Sequence, residues 1–123
     1  SIGSTNDDLI DKMRDNGVLT EGTDIYKAFR NTDRGDFVKE DERLRAYMDR
    51  PYKSGAIHIS APHIYHTILD ALQLRKGMSF LNVGSGSGYL SCLAAFLLGQ
   101  GGLSHGIELS ARMVALSLEN VQR

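Results

Sequence analysis

Phe80-Leu81-Asn82-Val83-Gly84-Ser85-Gly86-Ser87-Gly88 is the stretch whose reading decides the fold. A short apolar run bounded by glycine reads as a buried strand, here Met78 to Val83. It empties into a glycine-serine alternation where the backbone has to turn sharply and pass close to something. Glycine does both without a steric penalty. A helix follows to about Leu98, with Leu90, Leu93, Ala94 and Leu97 as its inner face. Gly99, Gly101 and Gly102 break the chain before a second strand, Leu103 to Glu108. Ser110 then caps a last helix that carries Met113, Val114 and Leu116. Strand, glycine loop, helix, strand, helix is the opening of a doubly wound parallel sheet, so the expected class is α/β and Rossmann-like.

The glycine spacing narrows the ligand. A dinucleotide fingerprint, G-x-G-x-x-G, puts its third glycine at position 89, which is Tyr89. The G-x-G-x-G found here resembles the tighter loop of S-adenosylmethionine sites. That ligand has no pyrophosphate, so the helix start need not be left clear for one. On this reading Gly84, Ser85, Gly86 and Gly88 line the methionine end of the cofactor. Glu108, closing the second strand, accepts hydrogen bonds from both ribose hydroxyls, as the equivalent acid does in nucleotide-binding sheets. The plainer alternative is a glycine-rich turn followed by an exposed glutamate.

Upstream of the loop the chain reads as helical. Thr5 or Asn6 caps a first helix with Asp7 and Asp8 in its positive first turn. Leu9, Ile10 and Met13 form its apolar stripe, and Gly17 ends it. Thr23 begins a second helix with Ile25, Ala28 and Phe29 on one side. From Asn31 to Ala56 the chain is polar and weakly periodic, which reads as a long irregular segment with a functional use. Ile57 to Ser60 looks extended, and Pro62 suits the first turn of a helix whose apolar positions are Ile64, Ile68, Ala71 and Leu72. The division is residues 1–75 as a helical, substrate-side segment and 76–123 as the first half of a cofactor-binding domain, the two forming one continuous domain.

Composition excludes several classes. An apolar fraction of 41 % and a charged fraction of 24 % are those of a folded globular chain. Basic and acidic residues balance to a net charge of −1, and no stripe of Lys and Arg offers itself to a nucleic acid backbone. The lone Cys92 can form no internal disulfide and lacks zinc-site spacing; on the helix after the loop it reads as an inert core thiol in a reducing, cytoplasmic compartment. No apolar run is long enough to span a bilayer, and no secretory leader is expected.

Ile59-Ser60-Ala61-Pro62-His63, followed after one helix by Phe80 to Gly88, resembles the protein-L-isoaspartate O-methyltransferases. Asn6-Asp7-Asp8-Leu9-Ile10 and Thr32-Asp33-Arg34 are similar to that family's N-terminal signatures. The resemblance implies S-adenosylmethionine as cofactor and methylation of the free carboxylate of L-isoaspartyl (D-aspartyl) residues in damaged proteins, whose esters collapse to succinimides and allow repair. It implies Ser60 as the active-site serine, with the bland alternative of a cap ahead of Pro62. Asn82 stands where many members have an aspartate near the ammonium of the methionine moiety. His63 is expected to line the substrate cleft or to pack, and His58 and His105 to be structural. His63 and His66 sit three apart on a helix, but ligands that would complete a metal site are missing, so no metal is expected.

Members of the family run longer, so the chain is expected to be a front half without the later strands that complete the cleft. Self-association through an unpaired sheet edge is then a possible partner mode, beside isoaspartyl peptides and proteins. Ile57-His58-Ile59-Ser60-Ala61-Pro62 and Asp33-Arg34-Gly35-Asp36-Phe37 are closer to the methyltransferase-domain-containing branch. That leaves a second reading, a cofactor-binding adaptor of the same fold that no longer turns over. A small-molecule methyltransferase sharing only the fold is a third, and Ile59 to His63 argues against it.

Overall fold

The computed structural model describes residues 4–55, 57–83, 87–99 and 103–107; for 80–83 and 103–107 it describes the backbone. The expected last helix and the loop residues Gly84 to Gly86 lie outside these.

Helix α1 (Asn6–Asp15) begins where the Thr5 hydroxyl accepts the Asp8 N–H at 3.1 Å, a cap worth about 1 kcal/mol. Thr5, not Asn6, is therefore the cap. Asn6 turns inward instead and joins three segments: its amide donates to the Phe29 carbonyl at 3.1 Å and its oxygen accepts the Arg34 N–H at 3.2 Å. Leu9, Ile10 and Met13 are fully buried. The turn after the helix closes with the Gly17 and Val18 N–H groups bonded back to Arg14 and Met13. Helix α2 (Asp24–Asn31) is capped by Thr23 and buries Tyr26, Ala28 and Phe29.

The described part of the stretch read as irregular, residues 32–55, is not irregular throughout. The 3-10 segments Arg34–Phe37 and Glu40–Tyr47, the second broken by a kink at Glu42, lead into strand β1 (Tyr52–Ser54). This pairs antiparallel with β2 (Ile57–Ile59), Tyr52 opposite Ile59. The stretch carries core residues at non-helical spacing: Phe37, Ala46, Tyr47 and Tyr52 are all buried. Periodicity fails here because 3-10 turns repeat every three residues and run for only a few.

Helix α3 (Pro62–Leu72) starts on proline as expected. Its stripe of Ile64, Ile68 and Leu72 faces outward, however, at 43, 36 and 46 % exposure, and Leu69 is the side chain it drives into the core. Strand β3 (Ser79–Val83) and strand β4 (Leu103–Ile107) pair parallel, Ser79 opposite Leu103 and Val83 opposite Ile107, with helix α4 (Tyr89–Leu98) as the crossover. This is a β-α-β unit with α4 packed on both strands and on α2. One core runs across the whole arrangement, from Leu9 and Phe29 through Tyr52 and Ile59 to Tyr89 and Leu93.

Candidate functional site

The site is best built outward from Tyr89, the first residue of α4. The glycine loop delivers the chain into that helix through Gly88, whose φ of 92° lies in the left-handed region and which caps the helix without a side chain. An L side chain there would be strained. Tyr89 is completely buried among the rings of Phe29, Phe37 and Tyr65 and the guanidinium of Arg34. Phe37 and Tyr65 meet it edge-on at 5.3 and 5.4 Å between centroids, and the Arg34 guanidinium lies over its face at 5.4 Å. Such edge-to-face and cation–π contacts each add on the order of 1 kcal/mol beyond burial.

Arg34 and Tyr65 both reach Ser60. The Arg34 Nη1 donates to the Ser60 carbonyl at 3.0 Å, and the Ser60 N–H donates to the Tyr65 hydroxyl at 2.9 Å. The second arm of Arg34, Nη2, donates to the Arg50 carbonyl at 3.2 Å. Arg34 is fully buried and is held by carbonyl dipoles, with no ion pair to a carboxylate among the described residues. Burial lowers its pKa from the ordinary guanidinium range; the surrounding groups, Tyr89, Tyr65 and Asp49, work against that shift. Burial likewise pushes the Tyr89 phenol up, with Arg34 opposing. Among the described residues the Arg34 Nε and the Tyr89 hydroxyl have no hydrogen-bond partner.

The Ser60 backbone is thus clamped on both sides, while its hydroxyl has no hydrogen-bond partner among the described residues and the residue is half-buried. The helix-cap alternative for Ser60 does not occur. The cap position of α3 is Ala61, with no side-chain bond. The N–H of His63 is instead taken from a distance by Asp49, whose Oδ1 accepts it at 3.0 Å. The same oxygen lies 2.8 Å from His63 Nδ1. His63 is exposed and Asp49 nearly buried, at 49 and 13 % side-chain exposure. The structure therefore brings Ser60 and His63 to one end of α3, with Arg34, Asp49 and Tyr65 behind them.

Of the remaining site residues the structure describes Gly88 and the backbone of Asn82. Gly88 is buried at the head of α4. Asn82 lies in β3 opposite Gly106, its backbone alone described. Gly84, Ser85, Gly86 and Glu108 lie outside the described residues. His58, expected to be structural, sits on the exposed face of β2, because Ile57 and Ile59 take the inner one. Cys92 is half-buried beside the core and burial raises its thiol pKa, which disfavours the reactive thiolate. Among the described residues no group of three or more His, Cys, Asp or Glu could hold a metal ion.

Sequence reasoning missed Arg34, Asp49, Tyr65 and Tyr89 as parts of the site. The one signal for Arg34 in the sequence is its place in Thr32-Asp33-Arg34, which is similar to a family signature.

A parallel β-α-β unit entered through a left-handed glycine places the chain in the doubly wound α/β class. The fold is that of a Plasmodium falciparum chain described as a protein-L-isoaspartate O-methyltransferase, solved in complex with S-adenosyl-L-homocysteine: TM-score 0.84, 31 % identity, 98 % of this chain and 56 % of that one. A second solved protein-L-isoaspartate O-methyltransferase matches with TM-score 0.77 and 25 % identity, over 96 % of this chain and 38 % of that one. The family model for protein-L-isoaspartate(D-aspartate) O-methyltransferase (PCMT) matches residues 4–123, and the chain belongs to that family. It is 40 % identical to the protein-L-isoaspartate O-methyltransferase of Caenorhabditis elegans, over all of this chain and 54 % of that protein. It is 36 % identical to protein-L-isoaspartate O-methyltransferase 1 of Arabidopsis thaliana, over 93 % of this chain and 50 % of that one. The chain spans about half the length of these curated relatives.

Proposed function

We propose that the protein methylates the free carboxylate of L-isoaspartyl (D-aspartyl) residues in damaged proteins, using S-adenosylmethionine, as a step in protein repair. The observation that carries this reading is the clamp on Ser60: a backbone fixed at both its N–H and its carbonyl, and a hydroxyl not used to cap α3.

Chemically the site has little to do beyond positioning. An isoaspartyl carboxylate has a pKa of about 4 and is already ionised at neutral pH, so no general base is needed. The cofactor supplies an electrophilic methyl group on a sulfonium. The chain's part is to hold the carboxylate in line with it at near contact, which is where most of the rate comes from. Ser60 donates a hydrogen bond to that carboxylate, and His63, at the head of the same helix, lines the peptide side.

Gly84, Ser85, Gly86 and Gly88 are assigned to the methionine end of the cofactor, Asn82 to its ammonium and Glu108 to its ribose hydroxyls. The backbone supports this assignment at Gly88, where a left-handed glycine turns the chain into the helix. The substrate-side segment (1–75) and the cofactor half (76–123) then act as one domain completed by further strands of a Rossmann-like sheet, whose edge would pair with a second copy if left bare. A reducing, cytoplasmic setting belongs to the same reading. It is supported by the lone Cys92 and by the absence, among the described residues, of any helix long and apolar enough to cross a membrane.

Ser60→Ala tests the reading. Loss of one hydrogen bond to a charge should lower turnover of an isoaspartyl peptide roughly ten- to a hundredfold, with the melting temperature and cofactor affinity unchanged. Unchanged turnover would remove Ser60 from the reaction.

A further inference from the structure

We propose that Asp49 is a positioning residue for the substrate side of the site, holding His63 so that Nε2 and not Nδ1 faces the bound peptide. The inference rests on the carboxyl-methylation reading above and adds to it a residue outside the glycine loop and the serine motif.

Asp49 Oδ1 accepts the backbone N–H of His63 at 3.0 Å and stands 2.8 Å from the Nδ1 of the same residue. An ionised carboxylate only accepts, so the ring nitrogen facing it carries the proton. Two bonds from one residue to one oxygen remove the freedom of χ1 and of ring flip together. Nδ1 is then occupied, and Nε2 is the ring atom left for another molecule.

The exposures agree with that division. Asp49 is nearly buried at 13 %, whereas the His63 side chain is 49 % exposed. A largely covered carboxylate behind an exposed imidazole is an arrangement by which proteins set a histidine's tautomer and aim. Its location matters as much. Asp49 and Arg50 are adjacent, and Arg34 bonds the Arg50 carbonyl with one arm and the Ser60 carbonyl with the other. The segment that carries Asp49 is therefore tied to the segment that carries Ser60, so the aim of His63 is fixed relative to the Ser60 hydroxyl. The Nε2 left over is then an acceptor, and its use is to accept a hydrogen bond from a backbone N–H of the peptide beside the isoaspartyl group.

Asp49 also caps α3, and a cap alone would explain its contacts without any role in binding. A double-mutant cycle on the full chain separates the two. His63→Ala is expected to raise the KM for an isoaspartyl peptide about tenfold, the loss of one hydrogen bond, with kcat little changed. Asp49→Ala should reproduce that rise and also lower the melting temperature. In the double variant the KM should equal that of His63→Ala, while the drop in melting temperature persists. A further rise in KM from Asp49→Ala in the His63→Ala background overturns the proposal. An unchanged KM in His63→Ala alone overturns instead the reading of His63 as a substrate contact. The unmodified protein offers an independent check: ¹⁵N shifts of His63, at a pH where the ring is neutral, should show the proton on Nδ1. A proton on Nε2 contradicts the proposal without any variant having to fold.

Discussion

The Arg34 guanidinium lies 5.4 Å over the ring of Tyr89 and, from that position, holds the carbonyl of Ser60 at 3.0 Å. One buried cation thereby connects the helix that leaves the glycine loop with the serine of the substrate motif.

Replacing Arg34 by Met should accordingly be destabilising even though it removes a buried charge. The carbonyls of Ser60 and Arg50 each lose a donor, at about 1–3 kcal/mol per group, and relief from burying the cation offsets only part of this. Arg34→Lys should fare little better, because a single ammonium cannot span two carbonyls as the planar fork does. Urea denaturation of each variant gives the cost. A stability within about 0.5 kcal/mol of the parent would show that the clamp contributes nothing.

Sequence reading recovered the β-α-β unit almost to the residue, since a glycine-bounded apolar run and a glycine loop are local signals. It could not recover Arg34, because a charged residue in a polar, aperiodic stretch reads as solvated. What buries it are carbonyls at positions 50 and 60 and a ring at 89, contacts set by the tertiary fold. The apolar stripe of α3 illustrates the reverse. Ile64, Ile68 and Leu72 share a helical face, yet the face that packs is the one bearing Leu69. Ser60 as a possible cap was one residue too early, because Pro62 at the first turn makes Ala61 the boundary.

Tyr89→Phe should leave stability unchanged or raise it by up to about 1 kcal/mol. The hydroxyl is buried without a partner among the described residues, and deleting an unpaired polar atom while keeping the ring retains the packing with Phe37 and Tyr65. Thermal unfolding reads this directly. A clear loss would mean that the hydroxyl is satisfied in solution, for instance by a water shared with Arg34 Nε.

Gly35 is intolerant for a steric reason that has nothing to do with backbone strain. A methyl group there would run into the Tyr47 hydroxyl and meet the Tyr47 ring carbon at 2.8 Å. Tyr47 cannot withdraw cheaply: it is buried and donates to Asp33 at 2.8 Å, and Arg43 bonds both Asp33 and Asp36 around it. Gly35→Ala should cost about 1–3 kcal/mol, and pairing it with Tyr47→Phe, which shortens the opposing side chain, should recover part of the loss. Equal stability of Gly35→Ala and the parent would show that the turn has room.

The central claim is that this site recognises an isoaspartyl carboxylate. Two peptides of one sequence, differing only in whether a single residue is L-isoaspartate or L-aspartate, put it to the most direct test, with S-adenosylmethionine carrying a labelled methyl group and the full chain as catalyst. The account predicts base-labile methyl ester on the isoaspartyl peptide, little on its aspartyl twin, and a rate that falls in Ser60→Ala. Equal labelling of the two peptides, or none on either while S-adenosylhomocysteine still binds, would contradict it.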